Sequence, residues 1–176
     1  MRETVEVKFA KVHPNAIIPS KRDEDMGFDI YACFDEDYIA INPHETKLIP
    51  TGIASACSPE YGFLVFERGS TGSKGIARRC GVIDSGYRNE WFIGLTNTTN
   101  KTLYISKLDE MKLLGRLHGY INVKDIGSNL VYPYSKAIAQ ALVVPVPKTE
   151  VGELSYDELK EIKSERGMGA LGSSNK

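Results

Sequence analysis

The 176-residue sequence predicts an all-β sandwich or barrel. Three observations carry the prediction. Short runs rich in β-branched and aromatic residues recur as far as residue 147, Gly, Pro, Asn and Asp punctuate them, and no regular strand–helix alternation of the kind that builds a parallel sheet intervenes. In order, the runs are VEVKFAKV, FDIYACF, YIAINP, TKLIPTGIASA, GFLVFE, WFIGLTN and IAQALVVPVP. The length suits one β domain over 1–148 with its own core, followed by a C-terminal helix and arm over 149–176.

Residues 102–135 break the strand rhythm. SKLDEMKLLGRLHGY predicts a helix with Ser106 as its N-cap, Asp109 three residues on, and Leu108, Met111, Leu114 and Leu117 at helical spacing. A second helix is predicted in ELSYDELKEIKSER. Ser155 and Glu158 form a capping box there, and Leu154 and Leu159 are placed for a hydrophobic staple. The tail after Arg166, RGMGALGSSNK, offers almost nothing to bury.

With 22 basic and 23 acidic side chains, the net charge of -1 provides no field that would gather nucleic acid or an anionic membrane, so any anion must be gripped locally. Three cysteines without metal-ligand or paired spacing point to a reducing compartment. No segment approaches membrane-spanning length, and the expectation is a soluble, cytoplasmic protein with no direct nucleic-acid partner.

The chemistry concentrates in four places. GVIDSGYRNE (81–90) reads as a tight β-hairpin with Asp84 at its neck, where a carboxylate on a rigid turn can orient and activate a water for attack on phosphorus. ERGSTGSKG (67–75) joins Arg68 to Gly69, Ser70 and further small residues whose N–H groups can approach phosphate oxygens. Asp29 interrupts an apolar run, and Arg166, Ser173 and Ser174 stand in the glycine-rich tail.

Taken in this order, the segments resemble the five motifs of the homotrimeric dUTPases. MGFDIYA is similar to the first at Gly27 and Asp29, and ERGSTG to the second at Arg68. GVIDSGYRNE resembles the third at Gly81, Ile83, Asp84, Tyr87, Arg88 and Glu90. KAIAQ is similar to the fourth at Ile138, Ala139 and Gln140, and RGMGALGSS to the fifth at Arg166, Gly167, Gly172, Ser173 and Ser174.

The resemblance implies a jelly-roll-like fold, a homotrimer and hydrolysis of dUTP to dUMP and pyrophosphate. It implies that Asp84 orients the attacking water, that Tyr87 packs under the deoxyribose, and that Gly81, Val82, Ile83 and Phe92 surround the uracil. Arg68, Gly69, Ser70 and Gln140 would line the phosphate side, Arg166, Gly172, Ser173 and Ser174 would close over it, and Asp29 would touch Mg2+ through water.

The chain departs from the pattern at Glu67, where proline is usual, and at Gly69, where serine is. Ala137 replaces the fourth-motif arginine, and Ala170 and Leu171 replace the Gly and Phe of the fifth. Trp91 or Phe92 is the candidate replacement for the missing aromatic lid. The long third-to-fourth motif gap, with its excess in 102–135, suggests a phage-type member and a docking surface for a protein partner. Two other functions stand beside hydrolysis: a regulatory protein on this scaffold, and a dCTP deaminase relative, in which Gly94 occupies the place of the deaminating glutamate.

Overall fold

The computed structural model describes residues 4–117, 129–165 and 167. The chain divides into two compact units, Met1–Val146 and Pro147–Lys176. No helix among the described residues is long and apolar enough to cross a membrane.

The first unit is all-β and jelly-roll-like, as expected. Its strands are β1 (Val7–Lys11), β2 (Phe28–Ile30), β3 (Tyr38–Ile41), β4 (Thr46–Pro50), β5 (Ile53–Cys57), β6 (Tyr61–Phe66), β7 (Ile76–Arg79), β8 (Val82–Ile83), β9 (Phe92–Asn97), β10 (Leu103–Ser106), β11 (Leu130–Pro133) and β12 (Ala139–Pro145). They form four sheets, ordered β1-β5, β11-β10-β3, β2-β12-β6-β8 and β4-β9-β7. Every pair is antiparallel except β10 with β11. One core serves all four: Ile53, Ile30, Phe63, Ile49, Ile93, Leu103 and Tyr132 are buried in a single cluster. A single helical turn, α1 (Gly69–Gly72), stands between β6 and β7.

TKLIPTGIASA is two strands in two sheets, divided at Gly52. That residue has φ +66°, and a Cβ there would fall 2.8 Å from Ala16 Cβ and 2.9 Å from Cys33 Sγ, so glycine alone turns the chain without strain. Asn97 is fully buried and satisfied: its Nδ2 donates to the carbonyls of Ile41, Asn42 and Lys101, and its Oδ1 accepts from Thr99 N–H and Oγ1.

Within 102–135, β10 pairs with β3 on one side and β11 on the other, and Leu103, Ile105 and Tyr132 belong to the main core. The helix there, α2 (Glu110–Leu117), starts later than predicted. Ser106 is not its N-cap. It ends the β10 ladder, and its hydroxyl donates to the Leu108 carbonyl, whereas Asp109 Oδ1 accepts the Lys112 N–H at 2.9 Å in the capping role. The face of α2 that packs on Tyr104 carries Leu113 and Leu117, while Met111 points to solvent. Residues 118–128 lie outside the described residues.

In the second unit, α3 (Tyr156–Glu161) begins at the expected capping box: Ser155 Oγ accepts the Glu158 N–H, and Glu158 Oε2 accepts the Ser155 N–H. Leu154 and Leu159, placed by the sequence for a staple, are both exposed.

Candidate active site

Period-two alternation places the first polar groups. On β2, Asp29 faces outward beside the fully buried Ile30, and on β12, Gln140 faces outward between the buried Ala139 and Ala141. The two are register partners, so their side chains share one sheet face, and Gln140 is also paired with Phe66 at the end of β6. Gln140 Nε2 donates to the Glu67 carbonyl at 2.8 Å, which pins the chain where it leaves the strand.

The next residue, Arg68, forms a bidentate pair with Asp29: Nε to Oδ1 at 2.9 Å and Nη2 to Oδ2 at 3.3 Å. Arg68 Nη1 reaches the Ala137 carbonyl at 3.4 Å. The α1 turn follows and leaves Gly69 and Ser70 exposed. Asp29, Arg68, Gly69, Ser70 and Gln140 thus line one open cavity of about 800 Å³, together with the Ser20–Gly27 loop.

Glu67, where the family usually has proline, is engaged in its own contacts. Burial works against its charge, yet the Arg78 N–H at 2.8 Å and the charges of Arg78 and Arg79 hold the carboxyl below its usual range. Arg78 in turn lies over the Phe66 ring and packs against Gly81, where a Cβ would meet its guanidinium and the Val65 carbonyl at under 3 Å.

The Asp84 segment differs from the predicted hairpin. A turn is present, closed by Tyr87 N–H to the Asp84 carbonyl at 3.0 Å, but its two arms do not pair. β8 pairs with β6, and β9 pairs with β4 and β7. The reason lies at residues 90 and 91. Glu90 Oε1 accepts the Gly52 N–H at 2.7 Å, Trp91 N–H donates to Ile53, and Thr51 Oγ1 donates to the Trp91 carbonyl, so the chain is captured by the β4–β5 corner and led into another sheet.

The resulting loop is braced throughout. Arg88 Nη1 donates to the carbonyls of Ser85 and Ser55, and the Tyr87 hydroxyl donates to the Glu90 carbonyl at 3.1 Å. Asp84 itself is exposed at the end of a small apolar groove formed by Phe63, Leu64, Val82, Ile83 and Val144. The Tyr87 and Phe92 rings are partly exposed.

Trp91 is no lid. It is fully buried, with its ring edge-on to Phe9 and Phe63 at centroid separations of 5.8 and 5.0 Å, and its Nε1 donates to Ser55 Oγ. As the first residue to contact β5 after the loop, its side chain follows the core face rather than the groove. Phe92, one residue on, points out.

The two groups of candidate residues stand apart. Asp29 and Asp84 sit at opposite edges of one four-stranded sheet, three strand spacings and four residues of register apart, or roughly 20 Å. The phosphates of a nucleotide, joined by single bridging oxygens, cannot cover that distance. Arg166, Gly172, Ser173 and Ser174 lie outside the described residues.

A dUTPase family model matches residues 13–111, more than half of the chain. The chain belongs to the dUTPase family. A deoxyuridine 5'-triphosphate nucleotidohydrolase of Nautilia profundicola is 30% identical over 98% of this chain and 100% of its own length, and that of Neisseria meningitidis is 27% identical over 98% and 97%. Among solved structures, a dUTPase of Staphylococcus bacteriophage 80alpha with dUPNHPP superposes with a TM-score of 0.71 at 22% identity, covering 97% of this chain and 99% of that one. The dUTPase of EIAV gives 0.59 at 20% identity, covering 86% and 98%. Both share the fold, the first of them phage-type.

The dUTPase chain also carries positioning residues that motif matching alone does not explain: Gly52 as the support for Glu90, and Ser55 as an acceptor for Arg88 and Trp91. Their signal in the sequence is confined to the single glycine of PTGI.

Proposed function

We propose that this dUTPase hydrolyses dUTP to dUMP and pyrophosphate at sites completed between copies of the chain, most simply in a homotrimer. The exposed Asp84 carboxylate on its braced turn is the observation that carries the reading. At this position it accepts a proton from a bound water and directs the oxygen at the α-phosphorus. The new O–P bond forms as the bond to the bridging oxygen breaks and pyrophosphate leaves.

The Gly81–Ile83 backbone and Phe92 surround the uracil, while Tyr87, its hydroxyl tied back to the loop, presents its ring to the sugar and leaves no room for a 2′-hydroxyl. A second copy supplies Arg68, Gly69, Ser70 and Gln140 to the phosphates, because one chain holds these groups too far from its own Asp84. Arg166, Gly172, Ser173 and Ser174 belong to the closing arm.

Asp29 is a single carboxylate already paired with Arg68, and no cluster of three or more ligating groups occurs among the described residues. Asp29, beside the proposed phosphate site, would touch a hydrated magnesium ion through water. Such an ion would supply positive charge that offsets the charge developing on the leaving pyrophosphate. The free cysteines Cys33, Cys57 and Cys80 accord with a reducing cytoplasm.

A deaminase is disfavoured at Gly94, which carries no carboxylate and where an added Cβ would make a tight 3.2 Å contact with the Arg79 carbonyl oxygen. Turnover of dUTP, UTP, dCTP and dTTP with magnesium tests the proposal. The expected result is pyrophosphate from dUTP with kcat/KM at least about a hundredfold above that for the other three and no ammonia from dCTP. Equal hydrolysis of all four would overturn it.

A further inference from the structure

Three cations line the cavity that holds Asp29: Lys21, Arg22 and Arg68. Two are matched to carboxylates, Arg68 to Asp29 and Arg22 to Asp25, the latter through two contacts of 2.9 Å. Lys21 is held by backbone carbonyls of its own loop. Its ammonium donates to the carbonyls of Arg22 at 3.3 Å and Asp25 at 3.0 Å and sits 5.9 Å from the centroid of Phe28, the residue before Asp29.

The 21–25 loop therefore wraps around its own lysine, and that lysine is one of the residues lining the cavity. Glu24, Asp25 and Asp29 line the same cavity, so its formal charges balance, and Lys21 is the lining cation whose hydrogen bonds run to backbone carbonyls rather than, as for Arg22 and Arg68, to a carboxylate.

We propose that Lys21 is a phosphate-binding residue for the polyphosphate end of the nucleotide, an inference that rests on the dUTPase reading above. Two phosphate positions of the family pattern are altered in this chain. Gly69 has no hydroxyl, and Ala137 is buried with its carbonyl occupied by Arg68 and the Tyr132 hydroxyl. An ammonium on a fixed stem supplies the point charge that phosphate oxygens take up.

The test is calorimetric titration of the full chain with a hydrolysis-resistant α,β-imido analogue of dUTP and, separately, with dUMP, both with magnesium. Lys21→Met keeps the stem over Phe28 and removes the charge, and Lys21→Arg keeps the charge. Lys21 is exposed, so both variants should remain folded, and Lys21→Arg also keeps donors for the Arg22 and Asp25 carbonyls that hold the loop. Lys21→Met is expected to weaken the triphosphate analogue about tenfold or more while leaving dUMP within about twofold, and Lys21→Arg to retain most of the affinity. Unchanged affinity for the analogue, or equal weakening of both ligands, would overturn the assignment. Wild-type protein that binds neither ligand would overturn the dUTPase reading beneath it.

Discussion

Asp84→Asn is expected to lower kcat for dUTP by about a hundredfold to ten-thousandfold, with KM changed much less. The substitution keeps the size of the side chain and the turn that carries it, since the Tyr87 N–H bonds to the Asp84 carbonyl rather than to its carboxylate. What is lost is the ability to accept a proton. The ligand contacts assigned to Gly81, Ile83 and Tyr87 remain, so affinity for a hydrolysis-resistant analogue should stay near the wild-type value. Steady-state kinetics beside a binding titration separates the two quantities, and a variant that retains substantial turnover would remove Asp84 from the catalytic role.

The second large effect falls far from any ligand. Gly52→Ala is expected to cost about 3 kcal/mol of unfolding free energy, from a left-handed backbone at φ +66° and from overlap with Ala16, Cys33 and His13 at 2.8–2.9 Å. Two of these neighbours are Cβ atoms fixed to the backbone, and the third is the buried Cys33 thiol. The Gly52 N–H also holds the Glu90 carboxylate, so displacement of this corner loosens the loop between Asp84 and Trp91, and kcat should fall with stability. Gly69→Ala is the control for stability: nothing lies within 4 Å of a Cβ there, and its unfolding free energy should match the wild type within about 0.5 kcal/mol. Denaturant unfolding at fixed protein concentration measures both.

The fold was legible where sequence period and burial agree. Asp29 and Gln140 each interrupt an apolar strand, so alternation turns each away from the core, and the β2–β12 register sets them side by side on one face. Strands β7, β10 and β11 escaped because IARR carries two arginines and LYIS and LVYP are four-residue segments amid helical and turn signals; their burial comes from partners distant in sequence. The same cause hid the fate of 81–93. A glycine–serine turn after two apolar residues reads as a hairpin, and only the long-range hold of Gly52, Thr51 and Ile53 on Glu90 and Trp91 shows that the arms part.

Trp91 illustrates the limit on side chains. Adjacent aromatic residues in a strand face opposite ways, and which of Trp91 and Phe92 is inward depends on register with β4. The phosphate side was legible as a set of residue types, but the Asp29–Arg68 pairing and the curled loop around Lys21 required the three-dimensional arrangement.

Asp84→Asn and Arg68→Ala proteins should each be nearly inactive alone, and the decisive measurement is the activity of an equimolar mixture after joint unfolding and refolding. If each site takes Asp84 from one copy and Arg68 from another, random reassembly into trimers restores about one quarter of wild-type activity. A mixture no more active than either parent would contradict sites shared between copies.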